Sequence, residues 1–319
     1  MIAAASVNGP VLVTGAAGFV GTHLIAHLLD AGAAVTGWHR PGIGPVDAPA
    51  VEVDWAAIEL LDAGAVADAL ARLRPAAIYH LAGAAHVGDS WQHTRATFEG
   101  NVLATHHLFQ GLRRHGLTPR VLVSGSAAIY KPLDEPLTED SPLAPASPYA
   151  TSKLAQEMVA LEAWGEHRIP ALVARSFNHI GPGQTPSYVA PAIARQIALI
   201  ERGEMPPVLR LGNLDPERDL MDVRDTVRAY AAMMASAAPG TPYNVCGGRA
   251  IRIGDLVDLF RSRSRVPVAI EQDPSKMRPS DVPRLCGSHD RLTRDTGWTP
   301  TIPLETTVDD LLEWWRKQT

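Results

Sequence analysis

The sequence predicts an α/β fold, with a doubly wound parallel sheet in its first part and a smaller α/β lobe after it. Short apolar runs alternate with helical stretches from Val11 to Arg175, and strands without polar alternation are typical of a parallel sheet buried on both faces. From about Phe177 prolines and glycines become dense, and helices are separated by short strands. We therefore divide the chain into residues 1–176 and 177–319, and allow the chain to cross between the two lobes.

The elements of the two lobes follow from apolar spacing. The predicted strands of the first lobe are Val11–Thr14, Ala33–Trp38, Ala77–Leu81, Arg120–Ser124 and Pro170–Arg175. Its predicted helices are Gly18–Leu29, Ala65–Leu73, Phe98–His115 and Pro148–His167. Those of the second lobe are Pro191–Arg202, Asp222–Ala237, Ile253–Arg263 and Pro303–Arg316. In a doubly wound sheet, ligands bind at the carboxyl ends of the strands, so the loops there are the first place to look for a site.

The composition is that of an ordinary globular protein, with 46% hydrophobic and 20% charged residues and a net charge of −5. This balance does not favour nucleic-acid binding, which usually shows as a basic excess. Because no apolar run reaches the ~18 residues of a membrane span, we expect no membrane partner. The cysteines, Cys246 and Cys286, lack metal-site spacing, and we expect them to be buried reduced thiols in a cytoplasmic protein without a metal.

A glycine-rich loop joins the first predicted strand to the first predicted helix. It reads TGAAGFVG over residues 14–21, with Gly15, Gly18 and Gly21 as its glycines. Glycines let the backbone approach a pyrophosphate, and the N-terminus of the helix offers free N–H groups and the positive end of its dipole. The strand–loop–helix context therefore predicts a Rossmann-type dinucleotide site that also includes Phe19 and Val20.

The end of the second strand bears on the choice between NAD and NADP. An acidic residue there would accept hydrogen bonds from the adenosine ribose, but this chain has GWHRP at residues 37–41. Arg40, preceded by His39, can instead neutralise a 2′-phosphate. We therefore predict NADP, and the alternative is that Arg40 points to solvent and the enzyme uses either NADP or NAD.

Two later loops are expected to line the same site. Glu59 and Leu60 follow a further strand that is expected between the predicted strands Ala33–Trp38 and Ala77–Leu81, and the adenine ring is expected beside them. The next strand ends in a close backbone wall formed by Leu81, Ala82 and Gly83. His80, just before this wall, is predicted to face the sheet interior as a core residue rather than a catalyst.

Tyr149 and Lys153 form the expected catalytic pair. Residues four apart share one face of a helix, and an ammonium near a phenol lowers the pKa of that phenol. The phenol can then exchange a proton with a substrate oxygen while hydride moves at the adjacent carbon. Ser126, which follows the predicted strand Arg120–Ser124, can hydrogen-bond the same oxygen.

Together, the glycine loop, the strand-end serine and the YxxxK pair resemble the extended short-chain dehydrogenase/reductase family of sugar-nucleotide epimerases, dehydratases and reductases. The resemblance runs from about Val11 to Arg316. It implies NAD(P) bound at the three loop glycines and a catalytic set of Ser126, Tyr149 and Lys153. It also implies that Tyr149 and Lys153 contact the cofactor, Lys153 through the nicotinamide ribose.

Segments of the second lobe resemble GDP-sugar enzymes, above all the GDP-4-dehydro-6-deoxy-D-mannose reductases. These segments read RSFNHIGPGQ (residues 175–184), GNLD (212–215), RD (218–219), RPSDVP (278–283) and GWTP (297–300). The resemblance implies a nucleotide-sugar substrate linked to GDP. Its diphosphate needs cations, for which Arg218 and Arg278 are candidates. Asn178 can donate an amide hydrogen bond to the diphosphate, and Asp281 can accept one from a ribose hydroxyl or a base edge.

The residues near Ser126 limit the number of reactions of the family that this chain can be expected to catalyse. In the 4,6-dehydratases of the family, a glutamate two residues beyond the catalytic hydroxyl moves a proton, but here that residue is Ala128. A 3,5-epimerase/reductase would need a cysteine and histidine pair, and both cysteines lie far outside the catalytic segment. We therefore predict a 4-keto reductase of the kind that makes GDP-rhamnose, with a nucleotide-sugar 4-epimerase as the alternative. Cofactor-sensing regulators of this fold typically lose the tyrosine or the lysine, and this chain keeps both.

The resemblance also implies a homodimer. Family dimers pair two helices of each copy in a four-helix interface. In this sequence those helices are Phe98–His115 and Pro148–His167, whose alanine-rich faces are compatible with such pairing.

Overall fold

The computed structural model describes residues 9–44, 53–276 and 282–318. Within these ranges, seven parallel strands form one sheet in the order β10-β6-β5-β4-β1-β2-β3. The strands are β1 (Val11–Thr14), β2 (Val35–His39), β3 (Val53–Ala57), β4 (Ala77–His80), β5 (Arg120–Ser124), β6 (Ala171–Ser176) and β10 (Pro242–Val245). The order reverses between β1 and β4, so the doubly wound Rossmann fold predicted from the sequence is confirmed.

The helices that cover this sheet pack on both of its faces. They are α1 (Phe19–Asp30), α2 (Ala63–Leu73), the short α3 (Val87–Ser90) and α4 (Thr94–Phe98), α5 (Ala104–Arg114), α6 (Pro148–His167) and α8 (Val223–Ser236). One buried apolar cluster, which includes Val13, Leu24 and Tyr230, lies on the α1 and α8 side. Another, which includes Ile78, Leu112 and Ala160, lies on the α2, α5 and α6 side. The sheet is therefore buried on both faces, as its apolar strands require.

Helix α6 has the bounds that the sequence predicts, because both of its ends carry local signals. The Ser147 side chain accepts a hydrogen bond from the Ala150 N–H, and Pro148 occupies the first turn, where its missing N–H costs nothing. The helix ends at Arg168, whose φ of 55° lies in the left-handed region. This helix carries both Tyr149 and Lys153 to the edge of the sheet.

The segment from Val223 to Val245 departs from the sequence prediction. We expected the chain after Phe177 to leave the large sheet, yet α8 packs on α1, and β10 pairs with β6 at the end of that sheet. A four-residue apolar strand carries no signal of the sheet it will join, so this expectation was wrong for the segment. The division at residues 176 and 177 otherwise stays a prediction, with the chain crossing back to the first lobe at this segment.

The remaining elements form the second lobe. Its strands are β7 (Asn178–Ile180), β8 (Val208–Leu211), β9 (Glu217–Asp222), β11 (Ala250–Arg252), β12 (Ala269–Gln272) and β13 (Arg284–Leu285). Its helices are α7 (Val189–Glu201), α9 (Ile253–Ser262), α10 (Asp290–Thr296) and α11 (Leu304–Gln318), although α10 packs on α8 and β10 of the first lobe. Strand β9 pairs with β7, β11 and β13, and β8 pairs with β12. Helices α7, α9 and α11 enclose a separate apolar core.

No helix in the described ranges combines the length and apolar character that a membrane crossing requires. The same residues contain no cluster of three or more histidine, cysteine, aspartate or glutamate side chains arranged for a metal ion. Both cysteines are buried and unpaired.

Candidate active site

The glycine loop forms a cradle at the carboxyl end of β1. Gly15 has a φ of +67°, and a Cβ there would lie 2.7 Å from the backbone nitrogen of Ala82, so only glycine fits this close approach. Gly18 is the N-cap of α1, and the first turn of this helix carries no acidic residue. The helix N-terminus therefore keeps N–H groups and a positive dipole end for an anion, which fits the pyrophosphate of NAD(P).

The side chains of Phe19 and Val20 point away from this cradle. The Phe19 ring stacks on His179 of the second lobe, with ring centroids 6.1 Å apart, and Val20 packs against the core beside the sheet. The contact of these two residues with a cofactor stays a prediction.

The residues at the end of β2 form the expected adenosine side. His39 Nδ1 lies 3.0 Å from the carbonyl oxygen of Arg40, and the Arg40 side chain is exposed. Within residues 9–44, 53–276 and 282–318, Arg40 has no ion-pair partner, so its guanidinium is available to a phosphate. Trp55 was missed by the sequence prediction; its ring packs over Gly37, where a Cβ would lie 2.8 Å from the indole.

Glu59 and Leu60 follow β3 in a tight turn. The carboxylate of Glu59 accepts a hydrogen bond from the Leu61 N–H at 3.2 Å, and the Leu60 carbonyl is 3.0 Å from His107 Nδ1. These contacts fix the loop at the side of the sheet where the adenine ring is predicted. Their contact with a cofactor stays a prediction.

The loop after β4 forms the predicted backbone wall, and Asn101 holds it in place. Leu81 and Ala82 hydrogen-bond through their N–H groups to Thr14, and Gly83 has a φ of +157° with Asn101 Oδ1 where its Cβ would lie. The same Oδ1 atom accepts a hydrogen bond at 2.8 Å from the N–H of Ala84, the residue that follows the wall.

Asn101 lies in a π-helical turn, Glu99–Leu103, that interrupts the predicted helix Phe98–His115. The predicted helical segment is confirmed as far as Arg114, but it is not a regular α-helix throughout. The apolar spacing runs unbroken from α4 into α5 and carries no signal of the extra residue in the turn. The turn presents the buried Asn101 side chain both to the wall and to Ser152 Oγ, 2.9 Å away on α6. Such turns often accompany functional sites.

His80 is a core residue, as predicted. Its ring nitrogens lie 2.8 Å from Thr14 Oγ1 and 2.9 Å from Thr105 Oγ1. Complete burial lowers the pKa of His80 to about 3, with the nearby charge of Lys153 as the smaller cause. The imidazole is therefore neutral and fully engaged in packing.

The structure brings Ser126, Tyr149 and Lys153 together at the carboxyl end of β5, and all three are buried. Ser126 Oγ accepts a hydrogen bond from the Ala128 N–H at 3.2 Å and interacts with the Tyr149 hydroxyl. Lys153 Nζ donates to the Ser124 carbonyl at 2.8 Å and lies 6.0 Å from the centroid of the Tyr149 ring. This arrangement matches the predicted set.

The protonation of the pair differs from the sequence expectation. Burial raises the pKa of Tyr149 to about 12, although hydrogen bonding with Ser126 acts in the opposite direction. Lys153 does not lower the pKa of Tyr149 as expected, because its ammonium hydrogen-bonds to the Ser124 carbonyl and to Gln156. Burial lowers the pKa of Lys153 to about 8. At neutral pH the phenol is therefore protonated, the form that can donate a proton to a substrate oxygen.

Two of the four predicted substrate residues lie on neighbouring strands of the small sheet. Asn178 opens β7 opposite Leu220 of β9, and Arg218 lies two residues earlier on β9. Arg218 Nη1 donates to the Val282 carbonyl at 2.7 Å. Arg278 and Asp281 lie outside the described residues, so their placement stays a prediction.

Tyr188 is a site residue that the sequence prediction missed. It precedes α7, and its hydroxyl donates to the Ala85 carbonyl at 3.1 Å, which joins the second lobe to the wall after β4. Its phenol also interacts electrostatically with that of Tyr149. Nothing in its surrounding sequence, GQTPSYV, marks it as a neighbour of the catalytic tyrosine.

Comparison with known proteins places this site in a family. A family model described as GDP-mannose 4,6 dehydratase matches residues 12–311. The chain belongs to the NAD-dependent epimerase/dehydratase family of extended short-chain dehydrogenases. It is therefore an NAD(P)-dependent enzyme of the group that modifies nucleotide sugars.

Two relatives and one solved structure are informative. The chain is 36% identical over 316 residues to GDP-6-deoxy-D-mannose reductase from Pseudomonas aeruginosa, covering 96% of this chain and 97% of the relative. It is 31% identical to UDP-glucose 4-epimerase from Azospirillum brasilense, with 96% and 92% covered. The structure of RMD from Pseudomonas aeruginosa complexed with NADPH superposes with a TM-score of 0.85 at 34% identity, covering 98% of this chain and 100% of that one.

Proposed function

We propose that this enzyme uses NADPH to reduce the 4-keto group of a GDP-4-keto-6-deoxyhexose, a reaction of GDP-rhamnose-type synthesis. The observation that carries the proposal is Ala128, which lies beside the catalytic set where a dehydratase needs an acid/base group. A methyl group cannot move a proton, so the site has the groups for hydride chemistry and lacks one for dehydration. The reductase from Pseudomonas aeruginosa, similar along nearly its whole length, supports the same reaction.

The chain's own residues divide the work between binding and proton transfer. The helix N-terminus at Gly18 would hold the pyrophosphate, Arg40 the 2′-phosphate and Lys153 the nicotinamide ribose. When bound, the cofactor supplies hydride to the 4-keto carbon. Tyr149 donates its proton to the oxygen of that carbon, while the Ser126 hydroxyl hydrogen-bonds the same oxygen and stabilises its developing charge.

The second lobe would bind the nucleotide. We propose that Arg218 and Arg278 neutralise the diphosphate, that Asn178 donates to it, and that Asp281 accepts from the ribose or the base. Strands β7 and β9 support the first part of this assignment, because they are paired and carry Asn178 and Arg218 two register positions apart. Guanine follows from the likeness of the second-lobe segments to those of GDP-sugar enzymes.

A nucleotide-sugar 4-epimerase is the second candidate, favoured by the likeness to UDP-glucose 4-epimerase. The same three residues would then act in both directions, first removing and then returning a proton at the 4-oxygen. An epimerase consumes no net cofactor, whereas the proposed reductase consumes one NADPH for each sugar.

We also propose that the protein is a homodimer through α5 and α6. Three large apolar side chains on or next to the predicted interface helices are exposed, namely Trp91 (60%), Leu103 (40%) and Met158 (63%). Burying them against a second copy would remove them from water.

Light scattering tests this interface. We expect the wild-type protein to be a dimer and Met158→Glu to shift it towards monomer. A wild-type protein that is monomeric at all concentrations would contradict the interface.

A spectrophotometric assay tests the proposed reaction. The purified protein is mixed with NADPH and GDP-4-keto-6-deoxymannose, and the product is identified by mass spectrometry and NMR. We expect NADPH oxidation in equal amount to a GDP-6-deoxyhexose. Absence of oxidation, with interconversion of intact nucleotide hexoses instead, would replace the reductase by the epimerase.

A further inference from the structure

A buried polar network lies behind the catalytic set, and the reaction described above does not use it. Its members come from four separate parts of the chain and are all less than a tenth exposed: Tyr130, Glu139, Glu157, Arg175 and Asn244. Burying two carboxylates and a guanidinium is costly unless each is paired, so this network stands out against the apolar core around it.

Arg175 is the centre of the network. Its Nε and Nη2 atoms donate to the two carboxylate oxygens of Glu157 at 3.0 and 2.6 Å, a bidentate pair. Its Nη1 atom donates to Tyr130 Oη and to the Glu139 carbonyl, both at 2.9 Å. The guanidinium also lies 5.1 Å from the centroid of the Tyr130 ring. The position of the Tyr130 ring is thereby set by one arginine.

Tyr130 also hydrogen-bonds to β10, the end strand of the large sheet. Its hydroxyl donates to Asn244 Oδ1 at 2.7 Å, and the Asn244 N–H donates to Glu139 Oε1 at 2.8 Å. Asn244 lies on β10, directly opposite Arg175 of β6. The phenol hydroxyl therefore both accepts and donates one hydrogen bond, and its place between two strands leaves it little freedom to move.

This network connects the two elements that carry the catalytic groups. Glu157 lies on α6 one turn beyond Lys153 and two turns beyond Tyr149. Ser126 caps the start of a one-turn 3₁₀ helix, Ala127–Ile129, and Tyr130 caps its end. The Tyr130 N–H donates to the Ala127 carbonyl within this serine turn. Arg175 thus holds one end of the serine turn against the helix of the catalytic tyrosine.

We propose that Tyr130, held by Arg175, is a positioning residue that sets the place of the Ser126 hydroxyl relative to the Tyr149 phenol. The proposal rests on the function proposed above, in which these two hydroxyls share one substrate oxygen. Loss of the Tyr130 hydroxyl frees the carboxyl end of the serine turn, while Tyr149 stays in place because α6 is unaffected. The cost then falls on the chemical step, since proton transfer needs both groups aligned.

The variant Tyr130→Phe tests this role, because it keeps the ring beneath Arg175 and removes only the hydroxyl. We expect kcat to fall about tenfold, with the KM for the keto sugar and the Kd for NADPH unchanged. The deciding readout is a double-mutant cycle with Ser126→Ala. If Tyr130 acts through Ser126, then Tyr130→Phe causes no further loss of kcat in the Ser126→Ala background.

Tyr243→Phe is the matched control. Tyr243 is fully buried on the same strand as Asn244, and its hydroxyl makes two hydrogen bonds, with Ala238 N and Asp295, on the side away from the serine turn. This variant is expected to lose stability but keep kcat. If Tyr130→Phe fails to fold, Arg175→Lys enters the same cycle, because it keeps the charge and breaks the contact with Tyr130. Since this change also breaks the bidentate pair with Glu157, Glu157→Gln is measured beside it as the control.

A wild-type kcat in Tyr130→Phe would overturn the proposal. So would losses that multiply in the double variant, because they would mean that Tyr130 acts independently of Ser126. Failure of the proposed function is a separate result: the wild type would then not oxidise NADPH with the keto sugar. In that event the same cycle is measured on 4-epimerisation of an intact nucleotide hexose, where the two hydroxyls have the same partnership.

Discussion

The two regions proposed to bind ligands in this protein are built in different ways. At the carboxyl edge of the large sheet, the cofactor cradle is a contiguous loop whose shape comes from its own glycines, such as Gly15. In the second lobe, the region around Arg218 is assembled from distant segments: Asp219 accepts hydrogen bonds from the N–H groups of Gly247, Gly248 and Gly287. The shape of the cradle could be predicted from the spacing of its own glycines, whereas the hydrogen-bond partners of Asp219 could not be predicted from the residues next to it.

The difference has a functional counterpart. The edge of the large sheet carries the groups proposed to move a proton, and the second region carries the groups proposed to bind the nucleotide. Substitutions in the first are therefore expected to change rate or cofactor affinity with the fold intact, and substitutions at the junctions of the second are expected to change stability.

The largest expected effect is on the chemical step. Tyr149→Phe removes the proton donor, and kcat is expected to fall about 10³-fold, within the usual range for a general acid. The Kd for NADPH is expected to stay unchanged. Steady-state kinetics and cofactor titration measure the two quantities, with Tyr79→Phe, a buried tyrosine in the core of the sheet, as the control. A fully active Tyr149→Phe would refute the catalytic assignment.

The next effect is on the stability of the second region. Asp219→Ala leaves three backbone N–H groups without their acceptor, and the free energy of unfolding is expected to fall by about 3 kcal/mol. Chemical denaturation measures this change. Asp215→Ala is the control, because Asp215 is 80% exposed and pairs with Arg252 at the surface. Equal stability of the two variants would mean that the lobe is not held together at Asp219.

Some parts of the fold and of the site could be predicted from the sequence alone, and others could not. The sheet, the glycine cradle and helix Pro148–His167 follow from local patterns, and the structure has them as expected. The return of β10 to the large sheet, the π turn at Asn101 and the partners of Arg175 could not be predicted. Each depends on contacts between residues far apart in the chain, such as Arg175 with Tyr130, 45 positions away.

A smaller effect tests the adenosine side of the first region. Arg40→Ser removes the exposed cation proposed to hold the 2′-phosphate, and the Kd for NADPH is expected to rise about tenfold. The Kd for NADH, which lacks this phosphate, is expected to stay the same. Calorimetric titration measures both. Arg95→Ser makes the same change of charge on an exposed helix, and an equal loss there would show that Arg40 has no specific role.

The smallest effect is a pH dependence. Burial lowers the pKa of Lys153 to about 8, so its cationic form is present below that pH and is lost as the pH rises through it. We expect kcat/KM to be halved near pH 8 and to decline further above it, because the neutral amine holds the ribose less well. A profile that stays flat well above pH 8 would contradict this assignment, provided that circular dichroism shows an intact fold.

The central claim is net hydride transfer to a 4-keto sugar, and isotope transfer tests it most directly. NADPH deuterated at the transferring position is incubated with the protein and GDP-4-keto-6-deoxymannose, and the product is analysed by NMR. We expect one deuterium at C4 of the product sugar for each NADPH oxidised. A product without deuterium, or sugar conversion without loss of NADPH, would contradict the reductase and leave the epimerase.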